Sequence, residues 1–145
     1  MTTPLQQLHE LGQSAWYDNI RRGHIKSGEL EKLIEMGVGG LTSNPTIFEK
    51  AIAGSTDYDE TLLELAKGNK STQGLFEAIA IEDIRAAGNL LRPIYDRTGG
   101  DDGYASLGVS PALAHDTEGT VAEAVRFAEE SDDPTPDSLY ENVYG

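Results

Sequence analysis

Apolar residues recur along this chain in two alternating rhythms, and the alternation predicts the fold. Leu5, Leu8 and Leu11 repeat every three residues, which suits one face of a helix. Thr3 can cap that helix, Pro4 opens it and Gly12 lies past its end. Ser14 to Ile20 reads as a strand, because Trp16 and Tyr17 favour extended backbone, and Asp18 falls near its C-terminal end. Ser27 can cap the next helix, with Glu29 in its first turn. Leu30, Leu33 and Ile34 form its stripe and Gly37 stops it. Residues 38–43 are a second predicted strand, and Asn44-Pro45 starts a helix with a strong cap and a pre-organised first position.

Residues 57–67 and 72–96 read as helices. Pro93 and Gly88 argue against a single long straight helix over the second stretch. Gly99-Gly100 and Asp101-Asp102-Gly103 make a turn, and Tyr104 to Val109 is a third strand. Thr120 and Glu123 have capping-box spacing, which predicts a helix from about 121 to 130. Ser131 to Gly145 has no period and is rich in Asp and Pro, so an acidic, disordered tail is expected there. The expected organisation is one α/β unit over 1–130 and a tail over 131–145. Strands alternating with helices point to a parallel sheet covered by helices. Three strands in 145 residues could form only the first part of an α/β barrel, which typically needs about 250 residues.

Composition narrows the function classes. The formal net charge is -14, which disfavours nucleic acid and anionic membranes as partners. The absence of Cys removes disulfides and thiolate metal sites. No apolar run reaches membrane-spanning length and the first residues lack signal-peptide features, so a soluble cytoplasmic protein is expected.

The candidate chemistry lies where strands end. Asp18, Thr42, Ser43 and Asn44 all fall at C-terminal strand ends, where parallel α/β folds place their ligands. Each also has a plainer role: Asp18 as a turn residue, Asn44 as a helix cap, Thr42 and Ser43 in packing. The Gly37-Val38-Gly39-Gly40 run lacks the spacing of a phosphate loop and reads as a helix stop leading into a strand. Arg21 and Arg22 read as a solvated basic pair, His9 and His24 as surface residues, and His115 as a loop histidine.

Three segments, taken in order, resemble the transaldolase family. They are Ser14 to Ile20 with Arg21 and Arg22, Gly40 to Phe48, and Asp102 to Pro111 continuing through Leu113 to Thr120. The intervening Leu90-Leu91-Arg92-Pro93-Ile94-Tyr95 fits as well, and the resemblance spans roughly residues 5 to 127. It implies a (β/α)8 TIM-type barrel. The implied activity is dihydroxyacetone transfer from sedoheptulose 7-phosphate to glyceraldehyde 3-phosphate, in the pentose phosphate pathway, with sugar phosphates as partners. No cofactor and no metal is implied. A lysine forms a Schiff base with the substrate ketone, and an aspartate and a glutamate assist proton transfer.

Carried over by position, Asp18 matches the catalytic aspartate, and Asn44 matches a substrate-contacting asparagine, with Thr42 and Ser43 beside it. Gly108 stands where the family pattern has the glutamate. The Schiff-base lysine belongs on a fourth strand, whereas Lys26, Lys32, Lys50, Lys67 and Lys70 all precede the third. The chain is therefore expected to be a truncated, inactive piece of a transaldolase-like transferase. The alternative is a non-catalytic sugar-phosphate-binding or assembly protein. Unpaired outer strands carrying Trp16, Leu107 and Val109 lead us to expect self-association.

Overall fold

A computed structural model describes residues 2–68, 71–108, 113 and 115–130. The chain divides into two compact units, Met1–Gly108 and Val109–Gly145. The expected tail over 131–145 lies outside the described residues.

Helix α1 (Pro4–Glu10) starts with a complete capping box. Thr3 Oγ1 accepts from Gln6 N at 3.2 Å, and the Gln6 side chain accepts from Thr3 N at 2.9 Å. The same two residues fasten α1 to the end of a later helix, since Gln6 Nε2 donates to Glu35 O at 2.9 Å and Thr3 Oγ1 donates to Met36 O. Gly37 makes this junction possible. Its φ is +111°, and a Cβ there would lie 2.8 Å from Gln6 N.

Strand β1 (Ala15–Asp18) is followed by α2 (Arg22–Lys26), α3 (Glu29–Met36) and β2 (Val38–Ser43). Then come α4 (Pro45–Ala53), α5 (Asp59–Ala66), α6 (Thr72–Thr98) and β3 (Ala105–Leu107). The sheet order is β1-β2-β3, and both pairings are parallel. Asp18 pairs with Thr42 and Thr42 with Ser106, one row across all three strands. One row earlier, Tyr17 pairs with Leu41 and Leu41 with Ala105. This is the parallel three-stranded arc of an α/β barrel, with helices on its outer face.

That outer face holds the core. Leu41, Phe48, Ala87 and Leu91 are fully buried together with Ile20, Leu30, Ala80 and Ile94, and Tyr17, Ala105 and Leu107 pack against them. Phe48 meets Phe76 edge-on at 6.1 Å. A smaller cluster of Ala51, Tyr58 and Ile79 joins α4, α5 and α6.

Several local expectations change. A short helix, α2, fills the stretch after β1, and Ser27 ends it. Gly28, at φ +75°, is the residue that precedes α3. Residues 72–98 form one continuous helix despite Gly88 and Pro93. Pro93 removes the amide that would bond to Asn89, but both residues are exposed, so water can serve the Asn89 carbonyl. The opposite face of α6 is fixed by Ile79, Ala80, Asp83, Ala87, Leu91 and Ile94, all buried at helical spacing. Strand β3 is shorter than expected, and Val109 lies outside the described residues.

In the second unit, helix α7 (Thr117–Glu130) begins before the expected 121. Asp116 Oδ1 accepts from Gly119 N at 2.8 Å, which places the helix start there, while the Thr120 hydroxyl turns back to Asp116 O at 2.8 Å. Among the described residues no helix is long and apolar enough to cross a membrane.

Candidate active site

The inner face of the sheet presents Asp18, Thr42 and Ser106 side by side at the C-terminal ends of the strands. Thr42 Oγ1 donates to Asp18 Oδ1 at 2.7 Å, leaving the other carboxylate oxygen facing the open side. Asp18 and Ser106 are exposed and Thr42 half-buried. Strand alternation separates Ser43 from this row. It is buried toward the helices, and its hydroxyl donates to Ser106 O at 2.9 Å, tying β2 to β3. Asn44 is exposed and caps α4 by accepting from Ile47 N at 3.0 Å. Its oxygen is thus occupied, while its side-chain amide group is left for a ligand.

Gly108 continues the ladder by donating to Ser43 O at 2.9 Å. Its backbone does not require glycine, for its φ is not among the positive values. A Cβ there would lie 3.2 Å from Ser43 O and 3.4 Å from Asn44 Cβ, a tight fit that a small shift relieves. By alternation from Ser106 it would join the inner face. Position 108 can therefore carry a side chain next to Asn44, and in this chain it carries none.

At the other end of the strands lies a polar lock that the sequence did not reveal. Asp102 is buried, and accepts from Trp16 Nε1 at 3.0 Å and from Ser14 Oγ. The pairing of β1 and β2 skips a residue at Gly39, and a Cβ on that residue would sit 2.0 Å from Asp102 Oδ2. Gly40 leaves the slot that the Trp16 ring occupies: a Cβ would approach Trp16 Cε2 at 2.6 Å and Tyr104 O at 2.8 Å. The glycine run is thus a packing device, and not only a lead into the strand.

Arg22 corrects the reading of a solvated basic pair. It is buried, with Nε 2.7 Å from Asp83 Oδ1, Nη1 2.6 Å from Thr61 Oγ1 and Nη2 2.8 Å from Glu82 Oε2. Tyr58 donates to Asp83 Oδ2 at 2.9 Å, and the guanidinium lies over its ring at 4.9 Å. Burial alone would weaken the hold of Arg22 on its proton, but bonds and charge from Asp83 and Glu82 outweigh it and raise the pKa. Burial pushes the Asp83 carboxyl up, against the pull of Arg22. It also raises the Tyr58 hydroxyl, with the Asp83 charge adding to that rise. The cluster bolts α2 to α5 and α6. Arg21 makes an outer pair with Asp57 at 3.1 Å. His24, expected at the surface, is half-buried, with Nδ1 enclosed and without a hydrogen-bond partner. His9 and His115 are exposed as expected.

No described lysine stands on a strand. Lys26, Lys32 and Lys50 belong to α2, α3 and α4, and Lys67 ends α5. Lys70 lies outside the described residues. Among the described residues, no group of three His, Asp or Glu side chains could hold a metal ion.

A helix-backed parallel sheet with polar residues aligned at its C-terminal ends defines a piece of an α/β-barrel enzyme. The chain belongs to the transaldolase/fructose-6-phosphate aldolase family, whose model matches residues 15–143. It is 45% identical over 128 residues to a transaldolase of Trichodesmium erythraeum, covering 88% of this chain and 34% of that protein. It is 49% identical over 125 residues to a transaldolase of Thermobifida fusca, covering 86% and 34%. For a transaldolase of Neisseria gonorrhoeae the identity is 44% over 125 residues, covering 86% and 36%. The chain spans about a third of the length of the relatives it matches.

Proposed function

We propose that this chain supplies the first strands of a transaldolase-type barrel and is inactive by itself. In the whole enzyme, dihydroxyacetone would pass from sedoheptulose 7-phosphate to glyceraldehyde 3-phosphate, in the cytoplasmic pentose phosphate pathway. Asp18 would be the carboxylate that moves protons, held by Thr42, and Asn44 would contact the substrate. The observation that carries the reading is the Asp18–Thr42–Ser106 row at the C-terminal strand ends, in a chain of this family. Inactivity is argued from two positions. Every described lysine sits on a helix or helix end, away from the row, so no amine is available to form an imine there. Gly108 leaves the neighbouring position without a carboxylate.

The test is incubation with fructose 6-phosphate and borohydride, followed by mass spectrometry. Borohydride would reduce an imine to a stable amine, so the mass of the chain is expected to stay unchanged. A specific lysine adduct that one Lys→Ala change abolishes would overturn inactivity. By itself the chain is also expected to self-associate through its outer strands, more strongly at high salt as the repulsion of its charges is screened. Sedimentation velocity at low and high salt measures this, and a salt-independent monomer would count against it.

A further inference from the structure

The inner face carries an aromatic ladder that the row at the strand ends does not use. Trp16 stacks on Tyr104 at 6.4 Å with the planes 28° apart, and Tyr104 meets Tyr95 edge-on at 5.5 Å. The three rings stay 39%, 44% and 39% exposed in the order Trp16, Tyr104, Tyr95. They are nevertheless held in place. Trp16 Nε1 donates to both Ser14 Oγ and Asp102 Oδ1 at 3.0 Å, and Tyr104 donates its hydroxyl to Gly100 O. The polar handles of Trp16 and Tyr104 are used internally, so both offer ring surface outward. Rigid exposed aromatics of this kind make up the centres of protein interfaces. On either side of the ladder, β1 and β3 each have only β2 as a strand neighbour among the described residues.

We propose that this face and its two strand edges form a docking surface for one occupant: a separate polypeptide equivalent to the two thirds of the relatives that this chain does not span. It would add parallel strands beside β1 and β3 and lay apolar side chains on Trp16 and Tyr104. The proposal rests on the barrel reading above. The occupant follows from three observations. The chain matches about 34% of its relatives at 43–49% identity, so the remainder of such a relative carries the complementary surface. A second copy fits poorly, because two-fold symmetry would pair identical edges antiparallel, whereas both pairings here are parallel. Each copy also carries a net charge of -14, which opposes its own kind.

The test refolds the full chain, labelled with fluorotryptophan, together with the part of the Thermobifida fusca transaldolase C-terminal to the shared region. Trp16 is the one tryptophan of this chain, so its fluorine resonance reports the docking face. A one-to-one complex by sedimentation with a shifted resonance is expected. Ser106→Arg puts a cation on the exposed inner face of β3, and Tyr104→Ser removes one ring. Each should weaken the complex about 30-fold or more. Leu63→Ser, at an exposed position of α5, should change it less than twofold. Circular dichroism of each variant alone verifies its fold, and the two inner-face variants guard against one failing to fold.

Absence of the complex, persistence of homo-oligomers in its place, an unshifted resonance, or equal weakening by Leu63→Ser would each overturn the proposal. A complex that forms as expected but yields no borohydride-trapped adduct would leave the docking surface standing and count against the catalytic reading instead.

Discussion

The two faces of the sheet are built on opposite terms. The outer face is closed: Leu41, Phe48, Ala87 and Leu91 are fully buried, and even its charged groups, Arg22 and Asp83, satisfy each other there. The inner face is open, with Trp16, Asp18 and Ser106 exposed. Yet it is not uniformly loose. Its lower half is locked by Asp102 and the paired glycines, while at its upper edge the described contact of the Asp18 carboxylate is the single bond from Thr42. Stability is thus concentrated on the outer face and at the base of the inner one. The strand ends remain available for chemistry, the division expected of α/β barrels.

The sharpest way to break this contrast is to attack the closed face. Asp83→Ala strands the Arg22 charge in the interior and should cost about 3–5 kcal/mol in urea unfolding. A loss below about 1 kcal/mol would show that the outer face does not depend on this cluster. Next comes the base of the inner face. Gly40→Ala pushes a methyl into the Trp16 ring and the Tyr104 carbonyl, and should cost about 1–3 kcal/mol with a change in Trp16 emission. Asp18→Asn should shift stability by less than about 0.5 kcal/mol, as exposed substitutions away from packing usually do. A large loss there would place Asp18 in the structural half of the molecule.

The smallest effect is one of pH. The hydrogen bond from Arg21 holds the Asp57 carboxyl below its ordinary 3.8. Its contribution is therefore present above that pH and disappears as the pH falls through the lowered value. The margin of the wild type over Asp57→Asn should vanish in acid, as read from urea midpoints between pH 5 and 2, and should shrink with salt. Asp83 runs the other way. Burial raises its carboxyl above 3.8, so its contribution declines as the pH rises from 3.8 through the raised value.

The order of strands and helices was legible because each element carries its own period and punctuation, as with Thr3-Pro4, Asn44-Pro45 and Gly37. The row of Asp18 and Thr42 was legible as far as strand ends can be read. What escaped depended on distant partners. Arg22 reads as a surface residue because Tyr58, Thr61, Glu82 and Asp83, which bury it, lie 36 to 61 residues along the chain. Asp102 reads as one of several acids in a turn, and only the fold brings Ser14 and Trp16 to it. Ser43 was grouped with Thr42 by adjacency, but alternation sends neighbours to opposite faces. Helix α2 is too short for a period to show, and the continuity of α6 through Pro93 depends on its buried side.

The register of the sheet also sets an order of assembly. Thr42 bonds to Asp18 across a sequence separation of 24 residues, while Ser43 bonds to Ser106 across 63. Closing the longer span costs only about 0.9 kcal/mol more for a flexible chain. It also requires the 27-residue α6 to form and seat first, since α6 leads directly into β3. The β1–α2–α3–β2 hairpin-like unit can therefore act as the folding nucleus, with β3 and the Asp102 lock arriving last. Residues of the β1–β2 pair should give high φ-values and those of β3 low ones, so changes at Ser106 should act mainly on the rate of unfolding.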